Sequence, residues 1–342
     1  MREALLYDRL AEQRVRCRLC AHGCTIAPGR RGICGVRENR EGTLFSLVYG
    51  RLVAEAVDPI EKKPLFHFHP GSTALSIATA GCNLSCRFCQ NADISQTPRE
   101  EGRIWGRATT PEAVVQAAQR AQSRSIAYTY SDPTVFAEYA LAVGRLARAA
   151  GIANVWVTNG FMSSNLLDLA LGDEAGPLID AANVDLKAFT EEYYRQQCGA
   201  RLQPVLDNLI RLKRAGVWIE VTTLVIPGLN DGEDELRAIA RFICDELGAD
   251  TPWHVSRFYP TYRLTDRPPT PAQTVTHARE LGRAAGLHHV YVGNVPWIEG
   301  ENTFCAQCGR LLIERAGFSV QMNAAPDGLC PYCGAQLAGV FG

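Results

Sequence analysis

The chain reads as an α/β protein built from parallel strand–helix units. Short apolar and β-branched runs alternate with helical stretches between residues 73 and 293. Two helical stretches open on Thr-Pro pairs. Polar, chemistry-bearing residues collect where strands end, the usual place for a site on parallel strands. A barrel and a doubly wound sheet both satisfy these observations.

Residues 1–70 read as an irregular lead-in containing cysteine and arginine. Thr73–Thr79 is a short, largely apolar first strand that delivers a cysteine loop. Thr110-Pro111 starts a helix, with Thr as N-cap and Pro at the first helical position, running to about Gln122. Ser125–Tyr130 is the second strand, and residues 134–149 are its helix, ended by Gly151. Val155–Asn159, Ala182–Lys187, Val217–Ile226 and Trp253–Phe258 are strands three to six, the fifth strongly β-branched. Thr270-Pro271 starts a helix leading to Gly286, and His289–Gly293 is the last strand. The expected organisation is an N-terminal extension over 1–70, a strand–helix domain over 71–298 and a C-terminal module over 299–342.

The totals bound the function. The 342 residues are 46% hydrophobic with a net charge of −1, so bulk binding to nucleic acid or an anionic membrane is not expected. No window approaches eighteen uninterrupted apolar residues, and Met1-Arg2-Glu3-Ala4 opens no signal peptide. A cytoplasmic protein is expected.

The 13 cysteines fall into three clusters and two singles, and clustered cysteines in a reducing compartment point to metals. Cys82, Cys86 and Cys89 form C-x3-C-x2-C. A cubane iron–sulfur cluster has four irons, so three thiolates leave one iron open for chemistry; half a zinc knuckle is the bland alternative. Cys305-x2-Cys308 and Cys330-x2-Cys333 bracket 21 residues and read as a zinc ribbon, with a second iron–sulfur cluster as the competing reading. Cys17, Cys20, Cys24 and Cys34 form C-x2-C-x3-C-x9-C, which suits zinc or a cluster, zinc being the first reading. His22 inside this set could replace one Cys or be an exposed bystander, and the nearby arginines make a solvated basic face. Cys198 and Cys244 read as packing residues.

The Ala80–Asn91 loop, with Ala-Gly before its first Cys and Phe88 before its last, resembles that of the radical S-adenosylmethionine (SAM) superfamily. The resemblance implies a 4Fe-4S cluster on Cys82, Cys86 and Cys89, with SAM chelating the open iron. It also implies reductive cleavage to a 5'-deoxyadenosyl radical, hydrogen abstraction from a substrate, and a one-electron donor such as ferredoxin or flavodoxin. The fold it implies is a partial, open (β/α)6-type TIM barrel. Tyr130-Ser131-Asp132-Pro133-Thr134 stands where the superfamily places a segment holding the SAM amino group. Thr158-Asn159-Gly160 and Asp185-Leu186-Lys187 resemble methionine-side segments of glycyl-radical-enzyme activases. Phe88, Asp132, Thr158, Asn159, Asp185 and Lys187 are thus the implied SAM contacts. Val157 stands where activases often have Asp, which argues against an acidic cation site built from that position. Val225-Ile226-Pro227-Gly228 resembles the segment that packs on adenine. His254 and Arg257 point to opposite faces if strand six is regular, so at most one faces the interior unless a bulge intervenes.

The runs Cys17–Asn39, Pro59–Pro64, Gly81–Gln96, Pro252–Pro260, Thr265–Pro271 and Val292–Val295 together resemble the AmmeMemoRadiSam system radical SAM enzyme. That family is similar to pyruvate formate-lyase activating enzymes and implies Memo-type and AMMECR-type partner proteins. Three functions remain open: an activase-like enzyme acting on a protein, an enzyme acting on a small molecule beside those companions, and a non-catalytic metal-binding docking scaffold.

Overall fold

Seven parallel strands lie side by side in the order in which they occur along the chain. They are β1 (Thr73–Thr79), β2 (Ser125–Tyr128), β3 (Ala153–Thr158), β4 (Ala181–Asp185), β5 (Trp218–Val225), β6 (Trp253–Arg257) and β7 (Val290–Gly293). A doubly wound sheet needs a reversal of strand order, and there is none among the described residues. The strands therefore wind one way into a barrel, and β7 does not pair back to the other end, so the barrel stays open. This is a computed structural model, and it describes residues 1–174, 176–295 and 299–342. The expected domain end at residue 298 lies outside the described residues.

Local chemistry explains the elements. β2 is buried at every position and β1 at all but its first, as suits parallel strands covered on both faces. The helix Pro111–Arg120 starts as expected: Thr110 Oγ1 accepts from Ala113 N at 3.3 Å, and Val114, Val115 and Ala118 turn inward. The stretch after β2 begins instead as a 3-10 turn, Pro133–Phe136, before the α-helix Ala137–Ala149. Asp132 caps that turn.

Two expectations are corrected. Thr270 is not a helix cap: its hydroxyl donates to Val225 O at 2.6 Å and accepts from Phe258 N at 3.1 Å, joining the ends of β5 and β6. The helix begins at Ala272. Residues 1–70 are also not irregular. They contain two small three-stranded antiparallel sheets, and Arg51–Pro59 then pairs antiparallel with β1 as part of the barrel sheet. Strands of two to four residues carry too little alternation to be read from sequence.

The C-terminal module is a three-stranded antiparallel sheet of Thr303–Phe304, Leu311–Ala316 and Ser319–Asn323. Arg315 bolts it to the barrel. Its buried guanidinium donates to Phe66 O and Thr303 Oγ1, both at 2.8 Å, and lies 3.6 Å from Glu61. His69 N donates to Val340 O at 2.7 Å, and His67 Nδ1 to Ala338 O at 2.7 Å.

Candidate active site

A cavity of about 770 Å³ opens at the C-terminal ends of the strands. Cys82, Cys86, Cys89 and Phe88 line it from the loop after β1. Asp132 lines it after β2, Thr158 and Asn159 at the end of β3, and Asp185 and Lys187 at the end of β4. Residues separated by more than a hundred positions meet because each βα unit delivers its strand end to the same rim.

The cysteine loop is held by donors aimed at its sulfurs. Leu84 N donates to Cys82 Sγ at 3.4 Å, and Asn159 Nδ2 approaches the same sulfur at 3.7 Å. Ser95 Oγ lies 3.1 Å from Cys89 Sγ. The fully buried Cys198 thiol and burial together push the Cys86 thiol well above the ordinary range. Burial pushes Cys82 well up and Cys89 up. Three thiols on one loop, one buried and two partly buried with donors aimed at their sulfurs, are suited to a bound cation, which would hold them as thiolates. They fit a 4Fe-4S cluster with one open iron.

Lys187 Nζ donates to Asp185 at 2.8 Å and stands 5.8 Å from the Phe88 ring centroid. Burial opposes its charge, but Asp185 and the neighbouring thiols outweigh burial and raise its pKa well above the usual value. The result is a lasting point charge in the cavity wall, suited to a carboxylate. Asn159 Nδ2 also donates to Asn83 Oδ1 at 2.8 Å, tying β3 to the cysteine loop.

His254 and Ser256, two apart on β6, line the cavity while Arg257 does not, so the alternation holds. His254 Nε2 is bonded to the buried Glu220 carboxylate at 2.6 Å. The Ile226–Gly228 segment is not among the lining residues; Leu224 is. His22 is half-buried rather than an exposed bystander: its Nε2 donates to Asn83 O at 2.8 Å.

Several site residues were missed. Asp58 accepts from Lys62 at 2.8 Å, from Lys63 at 2.7 Å, and from the Tyr130 hydroxyl. Burial opposes its charge, yet these three hold the Asp58 carboxyl far below the usual range. Lys62, Lys63 and Tyr130 line the cavity, and Tyr130 has a left-handed φ of 63°, a strained choice for an aromatic residue. The Pro59–Pro64 run was the available signal for the lysines. Gly317 and Phe318, from the hairpin turn of the C-terminal module, also line the cavity, so the module contributes to its rim.

The C-terminal cysteines form a closed site. Cys305 and Cys333 sulfurs lie 3.7 Å apart, as do Cys308 and Cys330. Zinc–sulfur bonds of about 2.3 Å in a tetrahedron give edges of about 3.8 Å, so these four thiols fit a single zinc ion.

Residues 76–243 match the family model described as the Radical SAM superfamily. Over 339 residues the chain is 46% identical to an uncharacterized protein of Methanocaldococcus jannaschii, covering 98% of this chain and 99% of that one. It is 28% identical over 179 residues to the isethionate sulfite-lyase activating enzyme of Oleidesulfovibrio alaskensis, covering 50% of this chain and 55% of that enzyme. A solved radical SAM methyltransferase from Sphaerobacter thermophilus shares the fold, with a TM-score of 0.52, 17% identity and 71% coverage of each chain. The chain belongs to the radical SAM superfamily and is a radical SAM enzyme. No described helix is long and apolar enough to cross a membrane.

Proposed function

We propose that this enzyme cleaves SAM reductively and abstracts hydrogen from a protein partner, in the manner of an activase. One observation carries the reading: the three loop cysteines and the cation of Lys187 face one cavity from separate strand ends. When bound, the 4Fe-4S cluster and SAM supply one-electron cleavage of a carbon–sulfur bond and a 5'-deoxyadenosyl radical. Cys82, Cys86 and Cys89 ligate the cluster. Lys187 attracts the SAM carboxylate, Asn159 offers an amide beside Cys82, and Phe88 packs under the ammonium of Lys187. Asp132 acts by holding Thr158 and Asn159 in place.

A protein substrate is favoured by the cavity mouth. Tyr259 and Phe318 stand there 42% and 48% exposed, two aromatic surfaces on which a peptide loop can rest. Similarity to an activating enzyme supports the same choice. We further assign the chain to the AmmeMemoRadiSam system, on the near full-length run of quoted motifs, with Memo-type and AMMECR-type proteins as partners to be tried first. The test is hydrogen transfer. With SAM, reductant and each partner present, deuterium from a deuterated partner should enter 5'-deoxyadenosine. Turnover with deuterium from small molecules alone would replace the protein by a small substrate.

A further inference from the structure

We propose that Lys62 and Lys63 form an anion subsite in the active-site cavity, holding a carboxylate or phosphate group of the substrate beside the cysteine loop. The subsite deepens the reading above, on which it rests: the partner loop that enters the cavity carries an acidic or phosphorylated residue.

The lysines stand on a fixed segment. The 3-10 turn Ile60–Lys62 follows the strand Arg51–Pro59 and brings Lys62 back over Asp58. The chain then runs across to β4 and β5. Asn183 Nδ2 of β4 donates to Pro64 O at 2.9 Å. Glu220 of β5 accepts from Phe66 N at 2.9 Å and from His67 N at 2.7 Å. Arg315 holds Phe66 O. The segment is thus tied from the strand beside β1 as far as β5, and both lysines line the cavity from a preorganised position.

Two ammonium groups share one carboxylate. Lys62 Nζ donates to Asp58 Oδ1 and Lys63 Nζ to Oδ2, and among the described residues Asp58 is the one carboxylate paired with either lysine. The Lys63 side chain is 1% exposed, and Asp58 engages only part of its donor capacity. The other described acids lining the cavity are committed elsewhere. Asp185 pairs with Lys187, Glu61 with Arg315, Glu301 accepts from Gly317 N at 3.0 Å, and Asp132 is bonded to the end of β3. One positive charge is left over on the lysine pair. A cavity wall focuses such a charge on an incoming anion, and two point charges suit a carboxylate or a phosphate equally. The Lys62 side chain, 42% exposed, stays within reach of a ligand.

Tyr130 links this corner to the cysteine loop. Its ring centroid lies 4.6 Å from Lys63 Nζ and 6.0 Å from Lys62 Nζ, within cation–π range. Its hydroxyl donates to Asp58, and burial with Asp58 raises it to about 12, so it keeps its proton. Its carbonyl oxygen accepts from Asn91 Nδ2 at 2.9 Å, just beyond Cys89. The left-handed φ of Tyr130 thereby has a use: it sets an aromatic donor between the loop and the lysines.

Oxidised, reconstituted protein saturated with SAM, which occupies Lys187, is titrated with N-acetylglutamate amide, N-acetylglutamine amide and N-acetylphosphoserine amide. Saturation-transfer NMR reads the binding. The two anionic probes should bind about tenfold more tightly than the glutamine probe, and the tighter of them identifies the anion as carboxylate or phosphate. Lys62→Met leaves one lysine on Asp58 and should bring all three probes to the same weak affinity. Asp58→Asn/Lys63→Met removes one charge of each sign, leaves Lys62 unopposed and should keep the preference. Iron content checks that each variant is folded. Equal binding of charged and neutral probes by the wild type, a preference that survives Lys62→Met, or its loss in the folded double variant would overturn the proposal. Binding needs no radical chemistry, so a wild type that prefers the anionic probes while no protein partner yields deuterium would keep the subsite and remove the protein substrate.

Discussion

Asp132 Oδ2 accepts the backbone N–H of Asn159 at 2.7 Å and the Thr158 hydroxyl at 3.0 Å, while Oδ1 accepts from Thr134 N at 2.9 Å. Both oxygens of the Asp132 carboxylate are spent within the protein. Burial raises its pKa despite these bonds. The Asp132→Ala substitution leaves three buried donors unpaired and should cost on the order of 3 kcal/mol of stability. SAM affinity should fall in parallel, and Asp132→Asn should show a milder version of both losses. Urea unfolding and equilibrium binding measure the pair. An Asp132→Asn variant with normal stability but no SAM binding would show direct contact instead.

Lys187 is expected to contribute a charge-assisted bond to the SAM carboxylate, of about 1.5–3 kcal/mol. Lys187→Met should therefore weaken SAM binding roughly 10- to 100-fold, with the iron content unchanged. Lys187→Arg should recover part of the loss. Unchanged SAM affinity in Lys187→Met would remove Lys187 from the site.

The ribbon stabilises the barrel through Arg315. In Arg315→Met the buried Glu61, which also accepts from Gly71 N at 2.8 Å, loses its cation. Breaking one partner of a buried pair costs about 3–5 kcal/mol. Stripping zinc should lower the thermal midpoint in the same direction, because the hairpin that carries Arg315 is framed by Cys305, Cys308, Cys330 and Cys333. A thermal unfolding series on the two samples checks this; a ribbon acting only as a docking platform would leave the midpoint in place.

Stability should fall with acid between about pH 6.5 and about pH 4. Burial lowers His289 to about 4, with His288 and Arg283 adding to it against Asp250 and Glu220. His67, its ring centroid 4.4 Å away, is lowered well below the ordinary value, first by burial and then by His289. In that window the unfolded chain binds more protons than the native one, so stability rises with pH. The slope from His289 is up to about 1.4 kcal/mol per pH unit. His289→Gln should reduce the measured slope by about one proton; an identical slope would show that His289 is not buried neutral.

The sequence made the barrel strands legible because each is a β-branched or apolar run bounded by polar residues, as in Val217–Ile226, and the observed Trp218–Val225 is nearly the same span. The cysteine motif was legible because its spacing is local. Asp58 with Lys62, Lys63 and Tyr130 was not, since the pairing depends on Arg51–Pro59 crossing to lie against β1. Cys198 read as a packing residue, yet it raises the Cys86 thiol's pKa, its segment being joined to the cysteine loop by Ser85 N donating to Cys198 O at 2.8 Å and Arg87 N to Gln197 O at 2.9 Å. Thr270-Pro271 located its helix to within two residues, but the Thr270 hydroxyl is taken by β5 and the residue after β6 rather than by the helix, a tertiary choice that local sequence does not show.

The most direct test is 5'-deoxyadenosine formation from SAM by the reconstituted, reduced protein, run beside Cys86→Ser. Product is expected from the wild type and none from the variant. Equal product from both, or none from a wild type whose cluster is demonstrably reduced and which binds SAM, would contradict radical SAM cleavage at Cys82, Cys86 and Cys89.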